Sequence, residues 1–246
     1  MSEKRRLNGK TEEKTRNSLR IILILGIIWG LIILIFSAIR EPSPENWTLL
    51  FSILASGLYT VLLFMTRKFW MKIGNFYPQR KAFLLAVFNA AVIETLFWGI
   101  ERFFGATGVA ASQNLLLDLL LTMPWYMAIS WSFIRGFERT RFRWEVVLLL
   151  GALYEVGGDG IVGGLVVPAI FGNPPNFLEF FTLVPLLAFW QFIPVYSSIV
   201  LPPTWYIRPF PSASKPSCPW WDGLSPLLWI FPFIAYLVLV MIIMAG

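Results

Sequence analysis

Seven stretches of this chain are too long and too apolar to sit comfortably in water. They run over roughly 21–39, 47–66, 82–100, 114–134, 146–171, 177–201 and 224–245. A helix needs about 20 such residues to cross a hydrocarbon core about 30 Å thick. Lipid supplies no hydrogen-bond partner, so a spanning backbone must close its bonds internally, as a helix or a closed barrel. These runs are longer than barrel strands and do not alternate, which leaves helices. Composition agrees: 57% of residues are hydrophobic and 14% charged, where a soluble domain is about half apolar and a quarter charged. The expected fold is all-α, a seven-helix transmembrane bundle forming one domain over 20–246. The segment 1–19 ahead of it, "MSEKRRLNGKTEEKTRNSL", is basic and polar, and is expected to be mobile.

Charge sets the expected orientation. Of the 20 Lys and Arg, seven precede the first apolar run, five lie in 67–81, four in 135–143 and two in 202–223; the other side holds Arg40 and Arg102. This asymmetry is the positive-inside pattern. It predicts a cytoplasmic N-terminus, a C-terminus on the opposite side and multi-pass residence in the plasma (cell inner) membrane. The net charge of +6 is then explained by orientation and contact with anionic headgroups, not by nucleic-acid binding. The first apolar run is a full span followed by charge, without a small-residue cleavage site, so it does not read as a signal peptide.

Residue types narrow the chemistry. The chain has one cysteine, Cys218, and no histidine. That excludes an intrachain disulfide and a thiolate metal cluster, and it removes the commonest metal ligand and general base. No cofactor is expected, and any metal is left open. Within the first span, "GIIWG" places Gly26 and Gly30 at the spacing of close helix contact, a candidate homo-oligomer surface. Trp47, Trp70, Trp144, Trp205, Trp220 and Trp221 lie near span ends, as in an aromatic belt. Pro124, Pro168, Pro185, Pro194, Pro226 and Pro232 fall in or at the edges of later spans, where each removes a backbone donor. The loop 202–223 carries six prolines and three tryptophans and is expected to lie non-helically along the cytoplasmic interface.

The residues that demand explanation are acids inside spans, where charge is costly and marks function by default. They are Glu94, Asp118, Glu155 and Asp159, with Glu101 and Glu179 near the outer boundary. At a rise of 1.5 Å per residue, Glu94, Asp118 and Asp159 all stand about 20–22 Å from the inner face, on three different helices. Glu155 lies about one turn deeper. Glu155 and Asp159, at i and i+4, share a face, as do Glu94 and Glu101 at i and i+7. Asp118, Thr122 and Trp125 give the fourth helix a mixed polar face. The expectation is an acidic outer-half pocket between helices 3, 4 and 5, extended by Glu179 and Thr182 of helix 6. Its one nearby counter-charge is Arg102. The site residues expected are thus Glu94, Glu101, Arg102, Asp118, Glu155 and Asp159, facing a proton, a cation or a cationic solute. The glycines of "GALYEVGGDGIVGG" around Glu155 and Asp159 allow close packing, a broken helix or a hinge.

Three functions fit this pattern: a transporter, channel or binding protein for a proton or cation; an intramembrane enzyme using paired carboxylates, Asp118 with Asp159 or Glu94 with Glu155; or a non-catalytic subunit of a membrane complex. "GGDG" superficially resembles the GxGD signature of intramembrane aspartyl proteases, yet position 156 is Val where that motif needs Gly. "ETLFWGIER" resembles the glutamate segment of membrane-embedded CaaX-type proteases, but the paired glutamates and the histidines are missing. The seventh helix carries no lysine for a rhodopsin-type Schiff base.

Overall fold

A computed structural model of the chain describes residues 3–72, 77–140, 142–170, 172, 176–207 and 219–245. Seven helices among them are long and apolar enough to cross a membrane: α1 Asn17–Arg40, α2 Pro44–Met65, α3 Pro78–Phe104, α4 Leu115–Arg139, α5 Trp144–Ile170, α6 Phe180–Val200 and α7 Trp220–Ile243. No strand occurs among the described residues. The helix of α1 reaches back to Glu3, through the polar segment that precedes the span.

Local chemistry fixes the span starts. Pro44 opens α2 behind Ser43, whose Oγ accepts the Asn46 amide at 3.2 Å. A proline at this position loses nothing, because the first turn's amides have no helical partner. Asn114 caps α4 by accepting the amides of Leu116 and Leu117 at 2.9 and 3.3 Å. Gly105 closes α3 with φ of 69°, a left-handed conformation that costs a glycine little.

Three spans depart from α-geometry, each at a proline. Val156–Val166 of α5 is π-helical and runs up to Pro168. Val184–Ala188 of α6 is π-helical around Pro185. Ser225–Trp229 of α7 is 3-10 around Pro226. A missing N–H frees a carbonyl, and a local change of winding re-satisfies it. Pro124 and Pro194 stay within regular helix. The proline-rich loop differs from expectation: Pro202–Trp205 forms a 3-10 turn and Pro219–Leu224 an α-helix. Here proline starts a turn instead of preventing one. Residues 208–218, with Cys218, lie outside the described residues.

The centre of the bundle is α6. Its last turns, Phe189–Val200, pack against α1, α2, α3, α4 and the first half of α5. Burial follows: 56% of the apolar window of α5 and 47% of that of α6 are buried, against 6% for α7. Gly26 and Gly30 of α1 face this centre. A Cβ on Gly26 would stand 2.0 Å from the Trp190 ring, and one on Gly30 3.2 Å from the Gln191 amide nitrogen. The close-contact motif of α1 is thus occupied within the chain.

Polar side chains tie α2, α3 and α6. The Tyr59 hydroxyl donates to Asn89 Oδ1 and Asn89 Nδ2 donates to the Ser198 carbonyl, both at 2.8 Å. Thr60 and Ser197 share a hydroxyl–hydroxyl bond of 2.7 Å. Ion pairs close the basic end: Arg20 Nε reaches Glu145 Oε1 at 2.8 Å, and Arg139 Nε reaches the buried Asp222 at 2.9 Å. Thr140 donates to the other Asp222 oxygen at 2.6 Å.

Candidate functional site

The four span acids meet between α3, α4 and α5. Glu94 and Asp118 bring their carboxyl groups close enough to share a proton, and so do Glu155 and Asp159. Asp159 acts electrostatically on Glu94 as well as on Glu155. The pairs that touch are therefore Glu94 with Asp118 and Glu155 with Asp159, across α3–α4 and along α5.

Close helix approach makes the cluster possible. A Cβ on Gly158 would sit 2.6 Å from Trp125 Nε1, so α4 and α5 meet only because position 158 has no side chain. Gly157 is pressed in the same way by Leu227 and Ile230 of α7, at 3.0 and 3.1 Å. Gly164 carries Phe180 of α6 at 3.2 Å. Gly163 differs: its nearest atom to a Cβ would be the Gly158 carbonyl at 3.9 Å. The helix between these glycines is widened into π-winding, not broken. Such segments recur at functional sites because the winding re-aims side chains.

Aromatic groups floor the cluster. The Tyr126 hydroxyl donates to Glu94 Oε1. Trp125 Nε1 donates to the Tyr196 hydroxyl at 3.0 Å, and the Tyr126 and Tyr196 rings lie 5.5 Å apart. Glu155 and Asp159 act on both tyrosines. All three aromatic residues are buried. Neither tyrosine stands out in the sequence, since aromatic residues are common in any span; Trp125 is recognisable from the polar face of helix 4.

Exposure divides the acids. Asp118 and Glu155 are 0% and 2% exposed. Glu94 is half-buried and Asp159 is exposed, as is Gly163 one turn on. Asp159 is thus the outward-facing member of the cluster, while its carboxyl lies against that of Glu155. Asp118 Oδ2 and Glu155 Oε2 are buried and accept no N–H or hydroxyl bond from the described residues; their carboxyl groups lie instead against the acids Glu94 and Asp159. Asp118 Oδ1 accepts the Ser112 amide at 3.2 Å.

Glu101 and Arg102 are held by the α3–α4 loop, and Glu101 acts electrostatically on Asp118. Glu101 is buried under the α3–α4 loop, and its Oε2 accepts the amides of Val109, at 3.0 Å, and Ala110. It fastens that loop. Arg102 donates to the Gln113 carbonyl and lies over the Trp98 ring, 5.6 Å from its centroid. Among the described residues no ion pair reaches Glu94, Asp118, Glu155 or Asp159. Also among them, no group of three or more acids converges in a way that could hold a metal ion. The Glu179 side chain lies outside the described residues, and Thr182 is exposed near the start of α6, its hydroxyl bonded to the Leu178 carbonyl.

Seven apolar spans make this a multi-pass integral membrane protein. No protein-family model, curated protein or solved structure matches the chain.

Proposed function

We propose that the protein binds a proton or a cation, or a cationic solute, at the Glu94–Asp118–Glu155–Asp159 cluster, in the manner of a transporter or channel. One observation carries the reading: four carboxylates share a site with no basic partner among the described residues. A charge at the middle of a span costs about 2.5–3.5 kcal/mol even by the gentlest scale. Four uncompensated charges would not be kept in lipid; protons or a bound cation must offset them.

The test is thermal unfolding of the purified full chain against pH and cation concentration. The wild type gains stability with cation, or changes it with pH across the range where the cluster titrates. Glu155→Gln combined with Asp159→Asn removes that dependence and leaves a folded bundle. A wild type indifferent to both variables overturns the reading.

The enzyme reading keeps one observation of its own, the Glu94–Asp118 contact on neighbouring helices. Paired carboxyl groups can act as acid and base. Turnover of a lipid or peptide substrate that Asp118→Asn abolishes would favour it.

A further inference from the structure

We propose that the basic end of the bundle holds one anionic phospholipid. Arg67, Lys68, Lys72, Arg80 and Lys81 take its phosphate, and its acyl chains lie on the adjoining faces of α2 and α3. This site is separate from the acid cluster and does not rest on it.

Unmatched charge carries the inference. At this end Arg20 and Arg143 both meet Glu145, Arg135 meets Glu138 and Arg139 meets Asp222. Arg67, Lys68, Lys72, Arg80 and Lys81 meet no carboxylate among the described residues. Residues 67–72 and 77–81 contain no Asp or Glu. The acids of the basic end are thus taken up on the side of α1, α4 and α5, and the α2–α3 side keeps its cations without a counter-charge. Arg67, Lys68, Lys72 and Arg80 are exposed, and Lys81 is half-buried. Arg67 stands two residues beyond the last residue of α2, and Lys81 three beyond the first of α3. Both therefore lie at headgroup depth, where lipid phosphate is the counter-ion at hand.

Local packing gathers these groups. Trp70 turns the short helix Arg67–Lys72 back onto α3: its ring lies 6.3 Å from that of Phe88, its Nε1 donates to Thr66 Oγ1 at 3.0 Å, and its carbonyl accepts the Tyr206 hydroxyl. Tyr206 follows the turn Pro202–Trp205, which packs on α3. The Lys81 ammonium lies over the Tyr206 ring, 5.8 Å from its centroid. Tyr206 thus ties the short helix to the first turn of α3. Phe69 and Met71 are exposed beside the cations, and Phe64, Leu84 and Phe88 are exposed further into the two spans. Cations at the rim of an apolar face match both halves of a phospholipid, phosphate and chain. A free phosphate would leave the apolar half uncovered.

The experiment is native mass spectrometry of the full chain in detergent, titrated with dioleoylphosphatidylglycerol or dioleoylphosphatidylcholine. Phosphatidylglycerol gives a one-to-one adduct, about tenfold tighter or more than phosphatidylcholine. A cation beside an anionic headgroup is worth about fivefold in affinity. Arg80→Gln with Lys81→Gln therefore weakens phosphatidylglycerol about twentyfold, and Arg67→Gln with Lys68→Gln and Lys72→Gln about a hundredfold. Arg135→Gln with Arg143→Gln removes the same charge as the Arg80 and Lys81 pair, from the side where carboxylates are present, and weakens it by less than about threefold. If the Arg80 and Lys81 variant does not fold, the three exposed positions of the short helix carry the comparison. Equal affinity for the two lipids overturns the site. Equal losses in the two double variants also overturn it, since they would mean diffuse attraction to the whole basic end. Displacement of the lipid by millimolar inorganic phosphate would make the occupant a free anion and overturn the lipid assignment.

Discussion

Glu155 and Asp159 stand one turn apart on α5; the first is buried and the second is exposed. Their carboxyl groups touch, so one end of the pair faces outward and the other meets the protein interior. The π-winding from Val156 begins between them. Spaced one turn apart, the two side chains stay on one face of α5 and their carboxyl groups meet. The pair acts electrostatically on the buried Tyr126 and Tyr196.

Tyr126→Phe removes the donor to Glu94 and leaves a buried acceptor without its bond. The expected loss of stability is about 1–3 kcal/mol. Thermal or denaturant unfolding in detergent measures it. A loss no greater than that of an exposed control such as Tyr77→Phe would contradict the bond.

Gly158→Ala and Gly163→Ala form a matched pair. At 158 a Cβ would overlap Trp125, and overpacking of that kind costs about 1–3 kcal/mol. At 163 the Cβ fits, and the lower helix cost of Ala relative to Gly makes the change neutral or slightly stabilising. Equal effects at the two positions would mean that α4 and α5 do not approach as described.

Glu101→Gln separates loop fastening from cation binding. The amides of Val109 and Ala110 lose a charged acceptor, so hydrogen exchange over 105–113 should rise several-fold. The cation or pH response of the bundle should be unchanged. Loss of that response would place Glu101 within the site after all.

Arg139→Ala breaks the pair that holds Asp222, which is buried against the end of α4. Losing one partner of a fully buried pair costs about 3–5 kcal/mol. Arg139 is 54% exposed, so solvent screening lowers the expectation to about 1–3 kcal/mol. Because Tyr154 donates to the Gly223 carbonyl beside it, the α7 end should also show faster exchange. Stability equal to wild type would show that the pair contributes nothing.

The seven spans were legible because a hydropathy signal accumulates over about 20 residues and tolerates local error. The meeting of Glu94, Asp118 and Asp159 was legible for a related reason: helix rise converts sequence position into depth. Lateral detail was not. Gly26 and Gly30 carry the same spacing whether they face another copy or Trp190 of α6. That Glu101 also accepts the amides of Val109 and Ala110 is invisible in sequence, because it depends on how the loop 105–113 folds back. Tyr126 and Tyr196 are silent in sequence because the hydroxyl direction depends on helix rotation. The π-winding of α5 depends on Pro168 and the glycines acting together with packing from α4, α6 and α7, a tertiary outcome that local propensity does not encode.

What neutralises the four acids is the question on which the functional reading turns, and infrared difference spectroscopy addresses it directly. The carbonyl stretch of a protonated carboxyl group is distinct from the bands of the carboxylate. Spectra of the full chain recorded with and without cation, and across pH, should show a carboxyl band that disappears as cation is added or pH is raised. Glu155→Gln with Asp159→Asn should remove most of that band. A wild-type spectrum without any responsive carboxyl band, or a band unchanged in the double variant, would contradict binding at this cluster.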